Sequence, residues 1–317
     1  MQVSIIMINY NTYELTRDAI NSIIDHTQNL KYEIILIDND SPDGSGEKLH
    51  LEFTDKIIFY QSQYNLGTSK AFNIGAKMAS GKYVLWLNTD VILKENFILK
   101  LYDFMEENEN CAICGGNILD FSGKPTHSIV HYTMDTKYMI NSLNVFCRLY
   151  RKVFKKKLSY EYNYTGKPLS VMGIVGADMF IRKSVFEEVG FFDENIFMYC
   201  EETEFAYRVK KLTNYSIMSV PDAYIYHLEG ASFNKSTVFS EKKYRLVFQG
   251  NCIYLNKHFG KEATLKYLKA AKKSYKKLEV LSALMFMKRR RLNYRGRYLI
   301  IKDYLTDFPG FMNKKVI

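Results

Sequence analysis

The run Val84-Leu85-Trp86-Leu87-Asn88-Thr89-Asp90 passes from an apolar strand pattern straight into a short polar turn that ends in a carboxylate. An acid in that place can anchor a hard divalent cation, which takes oxygen ligands and in turn grips the oxygens of a diphosphate. Two further acidic positions suit the same chemistry. Asp38 closes an earlier apolar run, and Glu201-Glu202 open a later helical pattern. A cation holding a diphosphate on one side, and a carboxylate able to accept a proton on the other, equip a site to displace the diphosphate with a hydroxyl.

Bringing these acids together requires strands that end at one edge. Residues 3–8 form an apolar run of strand length that stops at Asn9-Tyr10-Asn11. Residues 12–27 place Leu15, Ala19, Ile20, Ile23 and Ile24 on one helical face, with Thr12 as N-cap. A second strand over 32–37 runs into the turn-forming series Asp38-Asn39-Asp40-Ser41-Pro42-Asp43-Gly44, followed by a short helix near 45–53 and a third strand over 57–60. Asn65-Leu66-Gly67 then introduces a helix over 68–79, which Gly81 ends as its C′ residue, and a strand over 83–87 follows. Strands alternating with helices through short connections predict an α/β fold, a mostly parallel sheet flanked by helices on both faces. Ligands of such sheets gather beyond the carboxyl ends of the strands, where Asn9–Asn11, Asp38–Asp40 and Asn88–Asp90 all fall. After residue 90 the pattern changes to a helix near 94–107, a strand near 111–118 and an irregular stretch over 120–170. Strand-like runs at 171–181 and 216–226 enclose a helix over about 201–211, and helices over 237–259 and 261–278 complete the pattern.

Two common nucleotide-binding loops are missing. No G-x-G-x-x-G follows the first strand, and no G-x-x-x-x-G-K-S/T loop occurs anywhere. The strand-end loops are rich in Asn and Asp, which suit base, ribose and metal better than a bare phosphate cradle. The five cysteines, at 111, 114, 147, 200 and 252, follow no framework spacing. They read as free thiols in a reducing compartment, and the lone Cys111-Ala-Ile-Cys114 reads as a pair of buried strand residues.

In number and order these motifs resemble family 2 glycosyltransferases of the GT-A fold. The resemblance rests on Ile8-Asn9-Tyr10-Asn11, Ile37-Asp38-Asn39-Asp40-Ser41, Asn65-Leu66-Gly67 running on to Asn73-Ile74-Gly75, and Leu87-Asn88-Thr89-Asp90. It continues through Val175-Gly176-Ala177-Asp178, Gly190-Phe191-Phe192-Asp193-Glu194, Glu201-Glu202-Thr203-Glu204 and His227. It implies a glycosyltransferase domain over residues 1–235, with a nucleotide-sugar-binding half over 1–110 and an acceptor and catalytic half over 111–235. A helical basic extension covers 236–317. It further implies that Asp38 contacts the nucleotide base, that Asn9, Tyr10, Asn11, Asn65, Gly67, Asn73 and Asn88 shape the donor site, and that Asp178 lies near the donor sugar and the acceptor. Asp90 is the implied ligand of Mg2+ or Mn2+, with Asn88 in place of the family's first carboxylate, and His227 completes the metal or diphosphate site. Glu202, or Glu201 beside it, is the implied general base, and the reaction inverts the anomeric centre. Glu204, four residues before Arg208, reads as half of a helical ion pair. The implied donor is a UDP-sugar or dTDP-rhamnose, and the implied acceptor is a glycan, lipid-linked in many relatives. The alternative is a non-catalytic sugar-nucleotide-binding scaffold at a membrane surface.

Charge divides the chain unevenly. Residues 261–317 carry 16 Lys and Arg against 4 Asp and Glu, a balance of +12, which leaves 28 against 30 in residues 1–260. Lysines recur at helical spacing from 266 to 277, and Lys288-Arg289-Arg290-Arg291 follows the apolar stretch 281–287. An apolar stretch beside a polybasic block predicts docking on an anionic membrane surface, and no nucleic-acid motif accompanies the charge. The first strand begins at Val3 with no signal peptide ahead of it, and no apolar run approaches the ~18 residues of a spanning helix. The expected location is cytoplasmic, at the inner face of the cell membrane.

Overall fold

A computed structural model describes residues 1–131, 133–144, 161–228 and 239–313, with side chains through residue 310. The chain forms two compact units. One gathers the described residues of Met1–His131, Ser159–Glu194 and Glu202–Asn234, the other those of Tyr132–Leu158, Asn195–Glu201 and Lys235–Ile317.

In the first unit β1 (Val3–Asn9), β2 (Tyr32–Asp38), β3 (Ile58–Gln61) and β4 (Tyr83–Leu87) lie in the order β3-β2-β1-β4, all parallel. They are joined by α1 (Tyr13–His26), α2 (Ser45–Glu52) and α3 (Gly67–Met78). Central parallel strands are covered on both faces, so each must be apolar at successive positions. Val3, Ile5, Met7, Leu85 and Leu87 accordingly pack with Ala19, Ile20 and Ile23 of α1 on one face. On the other face Ile6, Ile35, Val84 and Trp86 pack with Ala71, Phe72 and Ala76 of α3.

The rest of this unit supplies β5 (Val91–Ile92), α4 (Phe97–Glu107), β6 (Cys111–Leu119), β7 (Ile129–Val130), β8 (Leu169–Ser170), β9 (Gly173–Ile174) and β10 (Asp178–Arg182). It ends with α6 (Val185–Val189), α7 (Glu201–Leu212) and β11 (Ser216–His227), while α5 (Thr136–Leu143) belongs to the second unit. β10 inserts between β4 and β6, antiparallel to both; β11 runs parallel to β6, and β5 pairs antiparallel with the end of β11. Cys111 and Cys114 are buried in β6, and burial pushes the Cys111 thiol up to about 11, which makes it inert at neutral pH. Cys147 lies outside the described residues.

Several expectations change in detail. Gly81 does not cap α3, whose C-cap is Ala79. A Cβ at Gly81 would stand 2.7 Å from the Ser4 nitrogen, so the glycine serves close approach to β1 instead. Thr12 occupies the N-cap position of α1, but its side chain makes no capping bond and donates to Asn9 Oδ1 at 2.9 Å. The run 171–181 divides into β9 and β10. The stretch 120–170 is not wholly irregular: it carries β7, α5 and β8 among its described residues.

The second unit is helical. The two helices expected over 237–259 and 261–278 appear as one element, α8 (Glu241–Leu284), broken at Gly260, whose φ of 84° is non-helical. α9 (Lys288–Thr306) and α10 (Phe308–Asn313) follow. Leu246, Tyr267 and Leu268 of α8 and Ile300, Ile301 and Tyr304 of α9 are buried. Part of the basic character is structural: the Arg297 guanidinium lies 3.9 Å from the Tyr244 ring centroid and 5.4 Å from that of Tyr275.

Candidate active site

The carboxyl ends of β1 and β2 lie side by side, with Asn9 in register with Asp38. The Asn9 amide donates to Asp38 Oδ1 at 2.7 Å, to Ser45 Oγ at 2.8 Å and to Ser41 Oγ at 3.1 Å, while its carbonyl accepts from Thr12 and Thr16. Asp38 also accepts from the Ser41 backbone, the Ser41 hydroxyl and Gln61 Nε2, at 2.9, 2.7 and 2.8 Å. Two carboxylate oxygens offer about four lone-pair positions, so protein donors occupy Asp38 fully. Both side chains are buried and hold the loop that follows β2. Tyr10, in contrast, is exposed, and Asn11 takes a positive φ of 56° while its N–H donates to Ser41 Oγ. These two present an aromatic face and an amide where Asn9 and Asp38 present none.

Asn65 and Gly67 form a second cluster beside this one. Asn65 Oδ1 accepts from the Gly67 N–H at 3.0 Å and from Asn39 Nδ2 at 3.2 Å. Gly67 has a φ of 74°, which a side chain would disfavour. Asn73 does not join them. Its amide donates to the Phe192 carbonyl at 2.9 Å and to Glu194 Oε1 at 3.1 Å, and its carbonyl accepts the Phe192 N–H. It clamps the Gly190–Glu194 segment.

The strand insertion that sequence periodicity did not reveal unites three other residues. Pairing of β10 with β4 sets Asp178 opposite Leu87, immediately before Asn88-Thr89-Asp90, and the Asn88 N–H donates to the Ala177 carbonyl. Pairing of β11 with β5 sets His227 opposite Val91, and His227 Nε2 lies 3.0 Å from Asp90 Oδ1. Asp178 is wholly buried, accepts the Gly116 N–H at 2.7 Å through Oδ2, and leaves Oδ1 without a partner. Burial pushes its carboxyl up to about 7, against the lowering effects of the Gly116 bond and of His227 nearby. An unsatisfied buried carboxylate oxygen beside an acid–histidine pair is a polar demand that a cation or a sugar hydroxyl would meet. No group of three or more His, Cys, Asp or Glu arranged to hold a metal occurs among the described residues. Asp90 and His227 still fit a hard or borderline divalent ion that draws its remaining ligands from diphosphate and water.

Glu201 and Glu202 stand at the start of α7, where Glu201 is buried and Glu202 partly buried. Burial raises the Glu202 carboxyl, opposed by the backbone N–H groups of Glu202 and Thr203. One helical turn on, Phe205 contacts Phe192 at 4.8 Å, and Phe192 contacts Trp86 at 5.3 Å. This aromatic chain ties α7 to the strand that delivers Asp90. Glu204 pairs with Arg208 at 2.8 Å, and Arg208 also donates to the carbonyls of Val189, Gly190 and Phe191. Tyr199 and Cys200, just before the two acids, both have positive φ, 70° and 79°. Such conformations cost energy and concentrate at working sites.

Ser45, Gly46, Gln61 and Gly116 escaped the sequence reading. Ser45 meets Asn9, Gly46 and Gln61 meet Asp38, and Gly116 meets Asp178; the turn-residue composition near Asp38 was the only local signal.

Comparison with known proteins bears on the family and the fold. The family model described as Glycosyl transferase family 2 matches residues 4–190. Glycosyltransferase GlyA of Streptococcus pneumoniae is 25% identical over 228 residues, 66% of this chain and 31% of its own. Poly(ribitol-phosphate) beta-N-acetylglucosaminyltransferase TarP of Staphylococcus aureus is 33% identical over 118 residues, 36% of each chain. The chain spans from 24% to 54% of the length of the first curated relatives it matches. The crystal structure of GalNAc-T7 with UDP, GalNAc and Mn2+ matches with a TM-score of 0.59 at 15% identity, covering 98% of this chain and 57% of that one. That likeness establishes a common fold, GT-A.

Proposed function

The chain belongs to glycosyl transferase family 2, and on that premise we propose that it is an inverting, metal-dependent glycosyltransferase. Its donor is a UDP-sugar or dTDP-rhamnose, and its acceptor is the hydroxyl of a glycan, lipid-linked and destined for a cell-surface polysaccharide. The observation that carries this reading is the Asp90–His227 pair at 3.0 Å, with the buried Asp178 within electrostatic reach of the histidine. Asp90 Oδ1 and His227 Nε2 would hold Mg2+ or Mn2+, and the ion, when bound, offsets charge developing on the departing diphosphate. Tyr10 and Asn11 offer the exposed groups for base and ribose, and the Asn9–Asp38 pair holds their loop in place. Asp178 donates to or accepts from a sugar hydroxyl according to its protonation. Glu202 takes the proton of the attacking hydroxyl, and its raised pKa makes it a better acceptor than an exposed glutamate. The basic helices hold the protein against an anionic membrane from the cytoplasmic side, where a lipid-linked acceptor would lie.

The test is release of nucleoside diphosphate from a panel of nucleotide sugars with Mn2+ or Mg2+ and a lipid-linked acceptor extract. Glu202→Gln should lower transfer roughly 10²–10⁴-fold while donor binding persists. Asp90→Ala should abolish the cation-dependent part of UDP binding, read as a melting shift. Protein that binds UDP yet releases none from any donor is a scaffold, and the proposal fails.

A further inference from the structure

The membrane face proposed above has internal structure. Between α8 and α9 lies a groove of about 870 Å³. One wall carries Lys269, Lys272, Lys273, Lys276 and Lys277, which recur at i, i+3 and i+4 along a single face of α8. Val280, Leu281 and Tyr298 supply apolar lining. Among the described residues no acidic side chain lines the groove; Lys276 pairs with Glu279 at 3.0 Å and lies 5.2 Å from the Tyr298 ring, and the other four lysines have no acidic partner there. Cationic heads on an apolar bed match an amphiphile with an anionic headgroup, and match a purely polar polyanion poorly.

A second observation comes from the turn that ends α8. Leu284, one turn beyond Leu281, is 71% exposed, Met285 61% and Phe286 95%. Phe286 has a φ of 54°; its N–H donates to the Ala283 carbonyl and the Met287 N–H to the Ser282 carbonyl. That is the hydrogen-bond pattern of a Schellman cap, with Phe286 at the left-handed position that glycine normally fills. A bulky residue there weakens the cap and buries nothing within the protein. Lys288, Arg289, Arg290 and Arg291 follow directly, all exposed.

We propose that the lysine groove and the Leu284–Phe286 tip form one anionic-lipid site. The lysines bind the headgroup phosphates of a bilayer, and the tip inserts among its acyl chains. This rests on the membrane reading and adds to it the residues that engage the lipid.

The test uses the full chain and sedimentation with vesicles of phosphatidylglycerol and phosphatidylcholine, against phosphatidylcholine alone. Wild type should bind only the anionic vesicles. Lys273→Gln with Lys277→Gln should weaken binding about thirtyfold, from roughly fivefold per surface lysine. Phe286→Gly should weaken it roughly tenfold with a melting temperature no lower than wild type, because glycine suits the cap. In Phe286→Trp the added indole should shift to the blue on anionic vesicles and be quenched by brominated chains; the single native tryptophan, Trp86, is buried and gives a constant background. Anionic-vesicle binding that the lysine and Phe286→Gly variants leave intact overturns this site while the membrane reading stands. Failure of wild type to bind anionic vesicles ends both. Displacement by inorganic polyphosphate, dependent on the lysines and indifferent to Phe286→Gly, identifies a soluble-polyanion groove and overturns the lipid assignment.

Discussion

Replacing Asp178 with asparagine isolates the electrostatic cost of the buried acid beside the acid–histidine pair. The carboxyl rises from its ordinary 3.8 to about 7. A folded-state value above the unfolded one means that the folded chain holds the proton more tightly. Its contribution to stability is therefore complete below the ordinary value and is lost as pH rises through about 7. Between about pH 5 and about pH 8.5 the wild type should lose roughly 3 kcal/mol through this group, at about 1.4 kcal/mol per pH unit up to its folded value. Asparagine keeps an acceptor for the Gly116 N–H but cannot ionise. The polar atom it leaves in the Oδ1 position carries a cost independent of pH. The comparison therefore lies in the slopes: urea unfolding of both proteins at the two pH values, in chelator so that no cation compensates the charge. The wild type should fall relative to Asp178→Asn by about 3 kcal/mol across the interval. Parallel pH profiles would refute the claim that burial holds this carboxyl protonated, and with it the unsatisfied-oxygen argument for the site.

Two other substitutions test the scaffold. Gly46→Ala places a Cβ 2.3 Å from Asp38 Cγ, so it should displace the carboxylate, cost about 1–3 kcal/mol in chemical denaturation, and weaken nucleotide binding in calorimetry. Arg208→Met strips the guanidinium from buried Glu204 and from the Val189–Phe191 carbonyls. It should cost about 3–5 kcal/mol, and adding Glu204→Gln should recover part of that; a double mutant no more stable than the single would mean the pair's charge is not what matters.

The acids that organise the site were legible because their signals are local. Apolar runs of strand length ending in Asn- and Asp-rich turns mark β1, β2 and β4, and the Glu-to-Arg spacing of Glu204 and Arg208 needs only helical geometry. Gly81 misled because a glycine after a helix has the same local appearance whether it caps that helix or admits a neighbouring strand. The Lys-rich helix was equally visible, but its groove was not, since that requires α9 to fold back along α8.

What the sequence determined by itself is which strand ends carry carboxylates, because side-chain alternation and turn chemistry act over a few residues. Only the tertiary structure decided what each polar group does. Asn9 and Asp38, 29 residues apart, saturate one another and their neighbours, while Asn73 is spent on a backbone 119 residues away. Antiparallel insertion of β10 carries Asp178 beside the end of β4, and β11 brings His227 to Asp90. Hydrogen-bond satisfaction and desolvation depend on every group within a few ångströms, and chain separation says nothing about which groups those are.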